Sequence, residues 1–211
     1  LREGVMYDML GRFASEDVRD RSVLALIKRY SGDKKQAKQV VKTSRSLFEQ
    51  VKEKLGLSTE DGDLLRRAAS LHEIGLAIAH SGYHKHSAYL VEYSDIPGFS
   101  QVDQKRMAQL MLNHRRKLKA DMLEQACIIG GDSLVYLCLL LRLAVLAHHS
   151  RSEHELPKLG LKVIDNNRWQ ITVGESSEHY TFLLSDLHTE IEQFAKWGVK
   201  LDVVDGSVIE A

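Results

Sequence analysis

The sequence predicts a mainly α protein: a multi-helix domain followed by a small α+β unit of ββαβ order. Three observations carry this. Up to about residue 150, apolar side chains recur at helical spacing between Gly, Asp and Ser punctuation. Pro97 is the one proline in that region. After Arg151 the pattern changes to short β-branched runs, "GLKVID" and "RWQITV", on either side of Asn166-Asn167, which is a hairpin signal.

The elements follow in order. "LREGVMYDMLGRF" begins at Leu1 inside a helical pattern, so residues 1–14 are expected to lead in from a longer polypeptide. "DVRDRSVLALIKRYS" (17–31) is a helix ending before Gly32, and Asp33 caps a long helix that stops near Gly56. Ser58, with Asp61 three residues on, approximates a capping box. It opens "STEDGDLLRRAASLHEIGLAIA", whose apolar stripe runs through Leu64, Leu65, Ala68, Leu71, Ile74 and Ala77. Ser81-Gly82 breaks this helix, and "HKHSAYLVEYS" starts the next. "DIPGF" is a loop, Ser100 caps "QVDQKRMAQLMLNH", and a basic turn "RRKLK" (115–119) follows. Asp132 or Ser133 then opens an apolar helix reaching about His149.

In the second unit the hairpin precedes an amphipathic helix, "LLSDLHTEIEQFAKWG", stopped by Gly198. "VKLDVVD" is a third strand and the tail from Gly206 is expected to fray. The division is therefore 15–150 for the helical domain and 151–211 for the α+β domain.

A length of 211 residues with 44% hydrophobic and 27% charged side chains fits a globular chain able to bury a real core. The formal net charge of zero hides an asymmetry. Residues 151–211 hold 6 Lys+Arg against 11 Asp+Glu, leaving 23 against 18 in residues 1–150. The basic helical region is the better partner for a polyanion. No apolar run approaches the roughly 20 residues that span a bilayer. The most apolar stretch, "SLVYLCLLLRLAVLAHHS", contains Arg142 and is expected to be a buried helix. Cys127 and Cys138 lie outside any CxxC pair and are expected to be buried free thiols of a reducing compartment. A cytoplasmic location follows, with peripheral membrane association as the alternative.

The chemistry concentrates in "LHEIGLAIAHSGYHKHSAYL" (71–90), which holds four of the ten histidines. His72 and Glu73 are adjacent on a helix, about 100° apart, so one metal ion could reach both. The plainer alternative is a core histidine hydrogen-bonded to a neighbouring helix, with Glu73 balancing a basic side chain. "HEIGL" is no HExxH, because Leu76 stands where the second histidine belongs. His80, His84 and His86 surround Ser81-Gly82 with no cysteine near to complete a zinc shell. Their imidazoles, Lys85 and the turn's backbone N–H groups can instead bind phosphate oxygens without a metal. "NHRRKLK" (113–119) is either a solvated charge run or a second wall of an anion channel, with arginine forks suited to phosphate. No nucleophile elbow, Walker loop or Rossmann glycine pattern is present, and general nucleic-acid binding is disfavoured by the lack of aromatic platforms among the basic residues.

Together, "LREGVMYDMLGRF", "EDVRDRSV", "AASLHEIGLAIAHSGYHKHSAYLVEYSDIPGFS" and "LNHRRK" resemble the C-terminal half of bacterial exopolyphosphatase, in the exopolyphosphatase/guanosine pentaphosphate phosphohydrolase family. The resemblance is dense through residue 150 and collinear after it. It implies an HD-like helical domain, a small C-terminal α+β domain and a homodimer. It also implies N-terminal actin-like domains that carry the catalytic glutamate and Mg²⁺, so no cofactor and no catalytic residue is expected in residues 1–211. The whole enzyme would release terminal phosphate from linear polyphosphate.

Set against true HD domains, Gln36 replaces the first histidine, His72-Glu73 replaces the His-Asp pair and Val145 replaces the final aspartate. The implied metal shell is degenerate, with His72, Glu73, His86 and His114 left as candidates for an opportunistic ion. The resemblance places His80, His84, Lys85, Arg115 and Arg116 along the polyphosphate passage. The alternatives are the same region of a guanosine pentaphosphate phosphohydrolase, or a standalone HD-type metal phosphohydrolase.

Overall fold

Short acidic and hydroxyl side chains start the helices. The computed structural model describes residues 17–151, 158–174 and 180–205. Asp17 accepts the Arg19 backbone N–H at 3.0 Å and opens α1 (Val18–Arg29). Asp33 accepts the N–H groups of Lys35 and Gln36 and opens α2 (Lys34–Leu55), which Gly56 ends at φ 63°. Ser58 and Asp61 form a reciprocal capping box that opens α3 (Thr59–Leu71). Such caps contribute about 1 kcal/mol each. Gly82, at φ 70°, precedes α4 (Tyr83–Tyr93), and Ser100 accepts from the Asp103 N–H to open α5 (Gln101–Asn113).

α3 is shorter than its apolar stripe predicts. It ends at Leu71, a single 3-10 turn covers Ile74–Ala77, and Ala77 is exposed rather than part of the core face. The cause is the crossing of α4. A Cβ at position 75 would stand 2.2 Å from the Tyr83 carbonyl oxygen and 2.5 Å from the Ser87 nitrogen, so only glycine admits α4 there. Ser87 Oγ accepts the Gly75 N–H and donates to the His72 carbonyl, both at 2.9 Å. It satisfies two backbone groups that a continuing helix would have bonded internally.

α6 (Ala120–Ala147) extends further back than the sequence indicates, with a break at Gly131 (φ 63°). The expected start at Asp132 or Ser133 marks the segment after the break. That segment, from Leu134 to Ala147, is almost wholly buried. By length and composition α6 is apolar enough to cross a membrane, although Asp121, Glu124, Asp132 and Arg142 and the break at Gly131 interrupt it. Most of its apolar window is buried against protein, the usual solution for a core helix. Cys138 is buried here as expected, whereas Cys127, before the break, is exposed.

The α+β unit has the expected order. β1 (Leu159–Asp165) and β2 (Arg168–Val173) pair antiparallel around Asn166-Asn167. α7 (Tyr180–Lys196) provides the crossover to β3 (Lys200–Asp205), which runs parallel to β2, giving sheet order β1-β2-β3. Trp169, Ile171 and Val173 alternate onto the buried face, which Leu187 and Phe194 of α7 share. The Gln50 side chain of α2 bonds both backbone groups of the β1 edge, accepting from Leu161 N–H at 2.7 Å and donating to Leu159 O at 3.3 Å. Apolar burial is continuous from Val40 and Leu47 through Leu137 and Leu141 to Trp169 and Phe194. Each such side chain stabilises by about 1.5–3 kcal/mol. The architecture is thus mainly α with a small α+β region. Residues 1–14 and the tail from Gly206 lie outside the described residues.

Candidate functional site

Four buried rings meet where the turn before α4 faces the end of α5. The Arg115 guanidinium lies over the Tyr83 ring, 4.4 Å from its centroid, a cation–π contact. Tyr83 is edge-on to His84 (6.4 Å) and tilted against His114 (5.8 Å), while His84 stands 6.3 Å from His114. His80 is exposed on the outer side of Tyr83, 6.5 Å between rings. Lys85 and Arg116 are exposed, Arg115 and His86 half-buried. His84 is buried, and its Nδ1 has no partner. Burial first, then the charges of Arg115, Lys85, Arg116 and His86, push its pKa down to about 4. At neutral pH it is therefore an uncharged imidazole surrounded by cations.

His72 and His114 form the inner layer, each 1% exposed. The Nδ1 of His72 is 2.7 Å from Ala69 O, and that of His114 is 2.6 Å from Met111 O. A carbonyl only accepts, so both Nδ1 atoms carry the proton and both Nε2 atoms present lone pairs. Neither Nε2 has a partner. Burial depresses both pKa values, and the neighbouring His72 ring depresses that of His114 further.

Glu73 Oε1 is 4.0 Å from His72 Nε2 and is paired with Arg151 Nη2 at 2.8 Å; Arg151 Nη1 also reaches Asp33 at 3.4 Å. Gln36 donates its amide to the His148 carbonyl at 2.9 Å, and Val145 offers no donor atom. Among the described residues, no three His, Cys, Asp or Glu side chains are grouped to hold a metal ion. The side chains at these four positions do not fit an HD-type metal shell, and no chemistry is routed through one.

A cleft of about 170 Å³ lies between the basic turn, α6 and α7. His114, Arg115, Arg116 and Val145 line it on one side, Asp186 and Glu190 on the other. At its base Arg142 is buried and paired with Glu190 through Nε and Nη2. Its Nη1 donates to Asn113 O at 3.1 Å and its Nη2 to Arg116 O at 2.5 Å. Arg116 itself lies in the left-handed region at φ 68°. The structure thus gathers His72, Glu73, His84, His114, Arg115 and Arg116 within one neighbourhood. His80 and Lys85 sit on its rim, and Gln36 bonds the end of α6. A larger cleft of about 390 Å³ lies between α2 and the start of α3, away from these groups. It is lined by Phe48, Leu57 and Leu65, and at its rim Lys52 pairs with Glu49 at 2.8 Å and Arg66 with Asp63 at 3.5 Å.

A family model described as "Ppx/GppA phosphatase, domain III" matches residues 18–191. The chain belongs to the Ppx/GppA phosphatase family. Curated relatives share the match over almost all of its length. The guanosine-5'-triphosphate,3'-diphosphate pyrophosphatase of Pseudoalteromonas translucida (strain TAC 125) is 35% identical over 206 residues, 96% of this chain and 41% of the relative. Pyrophosphatases of the same name from Aeromonas hydrophila subsp. hydrophila and Aeromonas salmonicida are 35% and 33% identical over 201 residues each. The chain spans about two-fifths of the length of these relatives.

Within this Ppx/GppA domain the sequence leaves several site residues unmarked. Tyr83 and Ser87 lie within the histidine-rich stretch 71–90 without being singled out by it, and Glu190 and Arg151 lie outside it. One signal was available: a lone Arg142 inside "LCLLLRLAVLA" must find a buried partner, and that partner is Glu190.

Proposed function

We propose that this chain is the polyphosphate-binding and dimerisation region of a Ppx/GppA family exopolyphosphatase, a hydrolase that releases terminal phosphate from linear polyphosphate. The observation that carries the reading is the convergence of Arg115, Lys85, Arg116 and His86 on the neutral His84, with Arg115 braced on Tyr83. A row of cationic and N–H donors of this kind tracks a polyanion whose charges repeat at short intervals. The catalytic glutamate and Mg²⁺ belong, on this reading, to actin-like domains outside residues 1–211.

Equilibrium binding of long-chain polyphosphate to the 211-residue chain tests it. Affinity is expected to fall with rising salt and to drop in the His80→Ala/Arg116→Ala double variant. Unchanged affinity in that variant would remove the site assignment. Sedimentation of the same chain at micromolar concentration tests the dimer.

A second reading takes guanosine 5'-triphosphate,3'-diphosphate as substrate, favoured by the names of the three relatives. Competition decides between the two. Displacement of bound polyphosphate by equimolar guanosine nucleotide, counted per phosphate, would favour the nucleotide.

A further inference from the structure

The basic turn has no secondary structure of its own, yet its backbone is held at three points, Arg116, Leu118 and Lys119, and a fourth hold falls on Asn113, the last residue of α5. Two of the holding side chains, Glu190 and Gln193, sit three residues apart on α7, and the third, Trp197, lies in the turn just past its end at Lys196. All three are buried. Glu190 fixes Arg142, whose two terminal nitrogens donate to the carbonyls of Asn113 and Arg116. Gln193 Oε1 accepts the Leu118 N–H at 3.0 Å. Trp197 Nε1 donates to the Lys119 carbonyl at 3.1 Å.

The residue in the middle is strained. Arg116 at φ 68° adopts a left-handed conformation that is unfavourable for a residue carrying a β-carbon. Surrounding structure must enforce it, and the Arg142 hydrogen bond to its carbonyl does so. Its consequence is directional: the side chains of Arg116 and Lys117 remain exposed while their backbone is fixed. Long cationic side chains on a mobile turn would lose much of their phosphate affinity to ordering entropy.

We propose that Glu190 and Gln193 of α7, with Trp197 just past its end, form a positioning element for phosphate-chain binding, which rests on the phosphate-binding reading of the basic turn. The small α+β unit thereby shapes the anion site without itself touching the anion. Gln193, Trp197 and Glu190 are positioning residues, since they act through the backbone of residues 113–119.

Two variants of the 211-residue chain test this with sodium polyphosphate of fixed length as the probe. Gln193→Met keeps side-chain volume and removes the acceptor; Trp197→Phe keeps a ring and removes the donor. Each is expected to bind about ten-fold more weakly and to lower the slope of log affinity against log salt by about one, as when a phosphate contact is lost. A merely less stable fold would reduce the active fraction and leave that slope unchanged. Wild-type affinity in both variants, or weakening at an unchanged slope, overturns the positioning role, provided that Arg116→Ala weakens binding. If Arg116→Ala binds like wild type, the phosphate-binding reading itself fails and takes this inference with it. Should Gln193→Met not fold by circular dichroism, Trp197→Phe decides on the same two readouts.

Discussion

His72 and His114 stand edge to face, 5.7 Å between ring centroids, each with Nδ1 tied to the carbonyl three residues back and Nε2 unpartnered. Both are neutral because burial depresses their pKa values, and burial also lowers His84 and His148 to about 4. In the unfolded chain each returns to about 6.5. Between those values the unfolded state binds more protons, so stability is fully present above pH 6.5 and is lost as pH falls toward 4. Urea midpoints measured from pH 7.5 to 4.5 should fall through that window. The depressed carboxylates Asp17, Asp20 and Asp61 act below their ordinary value of 3.8, outside it. A flat midpoint down to pH 4.5 would show that these rings charge without penalty.

Gly75→Ala should destabilise by about 1–3 kcal/mol through overpacking, because the methyl group meets backbone rather than a yielding side chain. Gly56→Ala makes the control, since the space around Gly56 is open and only its positive φ is strained. A smaller loss at position 75 than at 56 in denaturant unfolding would mean that α4 shifts freely.

Glu190→Leu leaves the buried Arg142 charge without its counterion. The expected cost is about 3–5 kcal/mol, whereas Arg142→Met/Glu190→Leu should cost less than the single substitution. Chemical denaturation of the four chains in that cycle gives the coupling. A single-variant cost below about 1 kcal/mol would place the ion pair in contact with water.

Asp61 closes the capping box on Ser58 and also accepts from Arg106 Nη2 at 2.7 Å, joining α3 to α5. Ser58→Ala should therefore cost about 1 kcal/mol, and Asp61→Ala more. Equal thermal shifts for the two variants would show that the Arg106 link adds nothing.

The helices were readable because their punctuation is local. Asp33, Ser58, Ser100 and Gly56 act on neighbours within three residues, so the sequence alone shows them. The hairpin at Asn166-Asn167 and the order ββαβ were readable for the same reason. The end of α3 was not, since the apolar stripe continues to Ile74 while Ser87, twelve residues beyond Gly75, takes its hydrogen bonds. Nor was the site's scaffold. Histidines and arginines announced themselves by composition, but the neutral state and fixed tautomers of His72 and His114 depend on Ala69, Met111 and burial. Arg142, Glu190, Gln193 and Trp197 meet their partners across the fold from 26 to 78 residues away, a relation no local pattern encodes.

The break at Gly131 leaves the two cysteine sulfurs of this chain in opposite circumstances. Cys138, behind it, is sealed in the core and its thiol is driven far up by burial. Cys127, ahead of it, is exposed, with a thiol raised by partial burial and by Asp132. A maleimide dye applied at mildly alkaline pH would therefore attach at a single address without mutagenesis. Its emission would follow the outer half of α6 while the inner half stays dark.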